Sequence, residues 1–170
     1  MQLVDKDLMS VQETRQLIAA AKQAQREYAS KSQEEVDRIV KAIADAGIQN
    51  AERLGMMANE DTGFGIPAHK KVKNVFASKN VYEAIKDLKT VGEISRDEKK
   101  GLRAIAVPVG VIAGLIPSTN PTSTVLYKAQ IALKAGNAIV FSPHPSALRC
   151  IMETVKVVRE AISNAGGNEN

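Results

Sequence analysis

The sequence predicts an α/β protein in which N-terminal helices precede a β-hairpin arm and the first β-α-β-α units of a Rossmann-like parallel sheet. Three observations support this fold class. Apolar side chains recur at helical spacing over residues 10–89, two short apolar stretches flank a charged loop within residues 90–109, and apolar runs alternate with helical patterns over residues 110–170. Strands alternating with helices indicate a parallel sheet with right-handed crossovers.

Four amphipathic helices are expected in the first of these regions. Ser10 and Ser32 each stand three residues before a glutamate, which is the spacing of a capping box, so a helix is predicted to begin at each serine. Gly47 is expected to end the second helix, and a shorter third helix follows. The fourth begins after Pro67, and its predicted buried face consists of Val72, Val75, Phe76, Tyr82, Ile85 and Leu88.

The second half of the chain is predicted to contain four strands. The arm has strands at 90–94 and 101–108, and after it come strand 110–116, a helix over about 122–135, strand 138–142 and a helix over about 146–164. The expected division is a helical segment (1–89) packing on a cofactor domain, the arm (90–109) and the first half of that domain (110–170). Two parallel strands are an incomplete sheet, so their partner strands are expected in another chain or elsewhere in a longer protein.

Composition excludes several classes of protein. The net charge is only +4, and basic residues alternate with acidic ones, which does not suit nucleic-acid binding. A single cysteine, Cys150, excludes an internal disulfide framework and suits a reducing compartment. The longest apolar run, 104–117, is shorter than the about 20 residues that span a bilayer. One cysteine and two distant histidines predict no metal site. We therefore expect a cytoplasmic protein that binds neither nucleic acid nor a membrane.

The turn Pro117–Thr122 is the strongest candidate for a site, because ligands of open α/β sheets bind beyond the carboxyl ends of the strands. Asn120 lies where a strand leads into a helix. Its amide is suited to donate a hydrogen bond to an oxyanion, but on residue chemistry alone the simpler interpretation is that its side chain caps the helix. A second turn, Ser142–Pro145, follows the next strand at the same edge and contains His144.

Other polar residues are weaker candidates. Cys150 lies within the last predicted helix, where a small side chain packed against the sheet is a simpler interpretation than a nucleophile. Lys70, Lys71 and Lys73 are suited to attract a phosphate, although a solvated helix face is the default interpretation. His69 beside them is expected to be solvated as well.

The run LIPSTNPTSTVLYKAQIALKAGNAIVFSPHP (115–145) resembles the NAD-binding domain of CoA-acylating aldehyde dehydrogenases, which include acetaldehyde and propionaldehyde dehydrogenases. The resemblance extends through AQREYAS (24–30), EDTGFG (60–65) and KVKNVFASKNVYEAIKDLKTVGEI (71–94), and so covers nearly the whole chain. It implies an aldehyde dehydrogenase fold of which only the N-terminal part is present.

The resemblance also assigns residues. It implies that Asn120 is the catalytic amide that holds the oxyanion of the tetrahedral intermediate. The loop approaching the nicotinamide end of NAD would consist of Ile116, Pro117, Ser118, Thr119 and Asn120, and the loop near the adenosine ribose of Ser142, Pro143, His144 and Pro145. Ser142 and Pro145 stand where the wider superfamily has a lysine and a glutamate as ribose and phosphate contacts.

The reaction that the resemblance implies converts an aldehyde, CoA and NAD⁺ to acyl-CoA and NADH through a cysteine thioester. The nucleophilic cysteine and the catalytic domain are expected beyond Asn170, so the chain alone is expected to be inactive. A homo-oligomer, formed through the arm or the exposed sheet edge, is expected, and a bacterial microcompartment is an alternative location. The alternative function is a truncated, non-catalytic dinucleotide-binding or assembly module.

Overall fold

Two separate two-stranded sheets follow the N-terminal helices in the computed structural model, which describes residues 5–169. The predicted α/β class is confirmed. The helices are α1 (Lys6–Tyr28), α2 (Gln33–Gln49), α3 (Ala51–Thr62), α4 (Pro67–Val75), α5 (Val81–Ile85), α6 (Pro121–Lys134) and α7 (Leu148–Asn164); a π-helical turn (Phe76–Asn80) joins α4 to α5, and a 3₁₀ turn (Pro145–Ala147) precedes α7. The strands are β1 (Gly92–Asp97), β2 (Leu102–Ala106), β3 (Val111–Ile116) and β4 (Ala138–Pro143).

The parallel sheet agrees with the prediction. β3 and β4 pair in parallel, from Val111 opposite Ala138 to Ile116 opposite Pro143, and α6 crosses between them. Gly114 allows Ile139 and Phe141 to pack closely over β3, because a Cβ there would lie 2.9 Å from Cδ1 of Ile139 and 3.0 Å from Cδ1 of Phe141. Both strands lie within one residue of their predicted bounds.

The apolar core forms where α2 packs against α6 and α7. Its fully buried side chains include Val36, Ile39, Val40, Ile43, Val125, Leu126 and Ile151. The capping box predicted at Ser32 is present, since the Glu35 N–H donates to the Ser32 hydroxyl at 3.2 Å and the Ser32 N–H donates to the Glu35 carboxylate at 2.9 Å.

The predicted start at Ser10 is wrong. Asp5 caps α1 instead, because its carboxylate accepts the N–H of Asp7 at 2.9 Å. Helical backbone therefore already exists at Ser10, whose hydroxyl donates to the Lys6 carbonyl within the helix. The negative charge of the Asp5 carboxylate also interacts favourably with the positive end of the α1 dipole.

The predicted buried face of the fourth helix is only partly correct, because Tyr82 and Ile85 are partly buried and pack against the core while other members are exposed. Val72 and Phe76 are 65% and 62% exposed, whereas Lys70 and Asn74 are buried. The helix is also interrupted by the π-helical turn, so residues before and after it do not share one face. Polar contacts to neighbouring helices, described below, outweigh the apolar periodicity here.

The arm is an antiparallel hairpin whose strands begin later than predicted. β1 starts at Gly92 because the Oε1 of Gln33 accepts the N–H groups of Thr90 (2.7 Å) and Val91 (3.2 Å), which are therefore tied to α2. Leu102 and Ile105 of β2 are exposed. The division into helical segment, arm and half cofactor domain stays a prediction.

Candidate functional site

The loops that follow β3 and β4 lie side by side. The last residues of the two strands, Ile116 and Pro143, are register partners. The N–H of His144 donates to the carbonyl of Ile116 at 3.1 Å, which ties the two loops together where they leave the sheet. The two predicted halves of the cofactor site therefore share one sheet edge.

Asn120 occupies the N-cap position of α6, but its side chain does not cap the helix. Its backbone carbonyl accepts the N–H of Thr124 at 3.1 Å, while its Oδ1 accepts a hydrogen bond from Nζ of Lys73 at 2.9 Å. The capping interpretation of the side chain is therefore wrong. Pro121 itself has no N–H, and no side chain caps α6, so the following N–H groups of its first turn are left without a side-chain acceptor and form a favourable environment for negative charge.

Two lysines of α4 hold the loop that precedes α6. Lys70 is only 6% exposed, and its Nζ donates to the carbonyl of Thr119 at 3.2 Å. Burial, with the nearby charge of Lys73, lowers the pKa of Lys70. The solvated interpretation is thus wrong for Lys70, and Lys73, though exposed, contacts Asn120.

The other residues of this basic stretch behave as expected. Lys71 is exposed and forms an ion pair with Glu52 at 2.8 Å. His69 is also exposed. The sequence did not distinguish these two solvated residues from Lys70 and Lys73, which contact the loop. The available signal was the spacing of three to four residues, which places Lys70 and Lys73 on one helical face with the buried Asn74.

A cleft of about 390 Å³ lies in front of Asn120. The residues that line it are Phe64, Gly65, Ile66, His69, Lys70, Lys73, Thr119 and Asn120. Asn59 fixes the turn at its rim, since its Nδ2 donates to the carbonyls of Phe64 (3.3 Å) and Gly65 (2.9 Å). Sequence reasoning did not assign Phe64 and Ile66, two apolar residues in a glycine-rich turn, to the site. Ser142–Pro145 lie outside this cleft.

Buried polar contacts connect this cleft to the helices behind it. Asn74 is 1% exposed, and its Nδ2 donates to the carbonyl of Ala51 at 3.0 Å. Its Oδ1 accepts the hydroxyl of Thr122 at 2.8 Å, in the first turn of α6. Asn74 therefore positions the start of α6, and with it Asn120, relative to α3.

His144 is engaged locally in the second loop. Its Nδ1 accepts the N–H of Ser146 at 3.2 Å and lies 2.8 Å from the Ser146 hydroxyl. In the neutral ring this places the proton on Nε2, which remains as a hydrogen-bond donor. Ser142 and Pro145 beside it are exposed.

Cys150 is fully buried in the first turn of α7. Its thiol donates to the carbonyl of Ala147 at 3.3 Å. Burial, with the neighbouring carboxylate of Asp61, raises the pKa of Cys150 to about 12, so the thiol stays protonated. Cys150 is a packing residue, as its apolar neighbours in the sequence predicted.

A sequence model described as "Aldehyde dehydrogenase family" matches residues 3–167. The chain belongs to the aldehyde dehydrogenase family. Among curated relatives of this aldehyde dehydrogenase chain, the bifunctional aldehyde-alcohol dehydrogenase AdhE of Escherichia coli K12 is 45% identical over 157 residues, which are 92% of this chain and 18% of AdhE. The resemblance inferred from the motifs is confirmed.

Two solved structures match the aldehyde dehydrogenase chain closely, each with a TM-score of 0.94. A probable aldehyde dehydrogenase from Listeria monocytogenes EGD-e is 60% identical, and the match covers 96% of this chain and 36% of that one. An acetylating aldehyde dehydrogenase from Geobacillus thermoglucosidasius is 53% identical, with coverage of 97% and 36%. The chain thus spans about a third of the length of these structures and less than a fifth of AdhE, as the expectation of an N-terminal part requires.

Proposed function

We propose that this chain is the N-terminal part of a CoA-acylating, NAD-dependent aldehyde dehydrogenase that converts an aldehyde, CoA and NAD⁺ to acyl-CoA and NADH. The observation that carries the proposal is the position of Asn120. Its amide lies at the uncapped start of α6, beyond the carboxyl end of a parallel strand and on a cleft with two lysines. The acetylating relative from G. thermoglucosidasius supports the CoA-dependent reaction.

The proposed role of Asn120 is to donate from Nδ2 to the oxyanion that forms when a cysteine thiolate adds to the aldehyde. Since Oδ1 is engaged by Lys73, Nδ2 is the part of the amide left to donate. The N–H groups at the start of α6 add positive potential at the same place. A single oxyanion donor of this kind typically contributes about 10²–10³ in kcat.

The sheet edge is the proposed NAD site, because two loops that carry hydroxyls and the Nε2–H of His144 meet there. The loop Ile116–Asn120 would hold the nicotinamide end, and the loop Ser142–Pro145, with the Nε2–H of His144, would contact the adenosine ribose. When bound, NAD accepts the hydride.

Among residues 5–169, no cluster of three or more His, Cys, Asp or Glu side chains is arranged to hold a metal ion.

Self-association and location complete the proposal. The exposed apolar side chains of Ile94, Leu102 and Ile105 on the hairpin support a homo-oligomer formed through the arm. A cytoplasmic or microcompartment location stays a prediction. Within the described range 5–169, no helix is both long and apolar enough to span a membrane.

A chimera tests the proposed function. This chain would replace the matching segment of the G. thermoglucosidasius enzyme, which supplies the remaining two thirds, and NADH absorbance would be followed with acetaldehyde and NAD⁺ in the presence and absence of CoA. We expect CoA-dependent NADH formation by the chimera and none by the 170-residue chain alone. A chimera that folds and assembles like its parent but forms no NADH would contradict the proposal, and turnover by the isolated chain would contradict its expected inactivity.

A further inference from the structure

The side-chain amide of Asn120 has only one orientation compatible with its surroundings. The ammonium group of Lys73 can donate hydrogen bonds but cannot accept them, so the amide atom 2.9 Å from it must be the acceptor Oδ1. Nδ2 therefore faces away from Lys73. The choice between the two amide orientations, which is otherwise ambiguous for an asparagine, is made here by a charged neighbour.

Lys70 and Lys73 bind the loop at consecutive residues, Thr119 and Asn120. Within residues 5–169, neither lysine forms an ion pair with a carboxylate; the neighbouring Lys71, by contrast, pairs with Glu52 of α3. The two ammonium groups thus direct their charge at the loop and the cleft, where negative charge would develop. Of the two, Lys70 is buried, and burial of a cation without a carboxylate partner is costly and typical of functional sites.

The helix that carries these lysines is itself held firmly. Gly55 allows α3 to approach α4 closely, since a Cβ there would lie 2.9 Å from the backbone nitrogen of Lys71. Asn74 then connects α3 to the start of α6 through Ala51 and Thr122. The packing of three helices therefore holds the backbone of Lys73 close to the start of α6, where Asn120 lies.

We propose that Lys73 is a positioning residue for the oxyanion site: it orients the amide of Asn120 so that Nδ2 faces the reacting oxygen, and it polarises that amide as a donor. A cation bound to Oδ1 draws electron density from nitrogen, and this strengthens the hydrogen bond that Nδ2 donates. Lys70 fixes the same loop one residue earlier. The inference rests on the proposed function for its catalytic consequence but not for the orientation itself.

The orientation is tested on the 170-residue chain by NMR with ¹⁵N-labelled asparagine, the Asn120 side-chain signal being assigned with N120D. We expect K73M to shift the Nδ2 signal of Asn120 and K73R to retain most of the wild-type shift, because arginine also donates to Oδ1. K71M is the matched control, with the same change of charge at an adjacent position, and should leave the signal in place. An unshifted signal in K73M, with thermal melting showing a folded chain, overturns the inference.

The catalytic consequence is tested in the chimera. We expect K73M to lower kcat about tenfold with the KM for NAD⁺ unchanged, K73R to recover most of the loss, and K71M to match the unsubstituted chimera. Equal kcat in K73M and K71M overturns the catalytic role of Lys73. An inactive unsubstituted chimera would instead contradict the proposed function, while the NMR result would still decide the orientation of Asn120.

Discussion

Asp61, in the last turn of α3, accepts the backbone N–H of Cys150 at 2.6 Å in the first turn of α7. Arg149 donates to the other oxygen of the same carboxylate at 2.8 Å. The Asp61 carboxylate, 89 positions earlier in the chain, thus accepts an N–H at the N-terminus of α7. Its negative charge also interacts favourably with the positive end of the α7 dipole. This contact joins the end of α3 to the start of α7.

Asp61 should make the stability of the chain sensitive to acid. Burial alone would raise the pKa of Asp61, but the hydrogen bonds from Cys150 and Arg149 outweigh it and hold the pKa below its usual value. A lowered folded-state pKa means that the stabilisation is present above the unfolded-state pKa of about 4 and is lost as pH falls through the folded-state value. We expect D61A to lower the free energy of unfolding by about 1–3 kcal/mol at neutral pH and to flatten its decline in acid.

Urea denaturation across the acid range measures this effect. E60Q is the control, because Glu60 is exposed and pairs with the exposed Arg149; it should change the free energy of unfolding by less than about 1 kcal/mol. An unchanged acid profile in D61A would show that the carboxylate contributes nothing to stability.

Cys150 should be inert in the folded chain. Its side chain is fully buried and its pKa is about 12, so little thiolate exists and reagents have no access. We expect iodoacetamide to leave the native chain unmodified and to alkylate it once after denaturation, since this is the single cysteine. Mass spectrometry gives the count directly, and rapid alkylation of the native chain would be inconsistent with the buried position.

The buried ammonium group of Lys134 should contribute more to stability than an exposed one. It is 3% exposed and donates to the Asp37 carboxylate at 2.5 Å and to the Lys86 carbonyl at 2.8 Å. K134M removes both hydrogen bonds, and we expect it to lower the free energy of unfolding by about 1–3 kcal/mol. The loss is smaller than for breaking a fully buried ion pair because Asp37 is partly exposed. K41M, which removes the exposed pair with Asp45, should cost less than about 1 kcal/mol. Equal decreases in the free energy of unfolding for K134M and K41M, measured by urea denaturation, would contradict this prediction.

Gly47 lies within α2, which continues to Gln49, so the helix end predicted at Gly47 is wrong. The glycine should resist a substitution that normally stabilises helices. Glycine to alanine within a helix usually gains about 1 kcal/mol, but a Cβ at Gly47 would lie 2.2 Å from Oγ of Ser78. We expect G47A to destabilise the chain by about 1–3 kcal/mol through overpacking. Adding S78A should restore part of the loss, because it removes Oγ while Cβ remains 3.1 Å away. A higher melting temperature for G47A than for the unsubstituted chain would contradict the close contact between Gly47 and Ser78.

The sequence predicted the second half of the fold better than the first. β3, α6, β4 and α7 stand out because buried strands read as short apolar runs and Gly136 marks the end of a helix. The buried face of α4 was not predictable from periodicity, since Asn74 is held by hydrogen bonds to Ala51 and Thr122 rather than by apolar contact. The start of α1 was placed wrongly because the Ser10–Glu13 spacing matches a capping box, whereas in the structure Asp5 caps the helix five residues earlier.

The candidate site was predictable in position but not in geometry. Asn120 could be found because it follows a buried strand and matches a family motif. Its partner Lys73 lies 47 residues earlier, on a helix whose contact with the loop arises only when α3, α4 and α6 pack together. Spacing rules describe neighbours along one element, and they contain no information about such a contact.

The most direct test of the central claim is the kcat of the N120A chimera with saturating acetaldehyde, CoA and NAD⁺. If the Asn120 amide holds the oxyanion, kcat falls about 100-fold or more while the KM for NAD⁺ stays within about twofold, because the lost interaction forms only in the transition state. N80A, which alters an exposed asparagine outside the cleft, serves as the control and should keep the parental kcat. An N120A chimera that retains the full kcat would contradict the account.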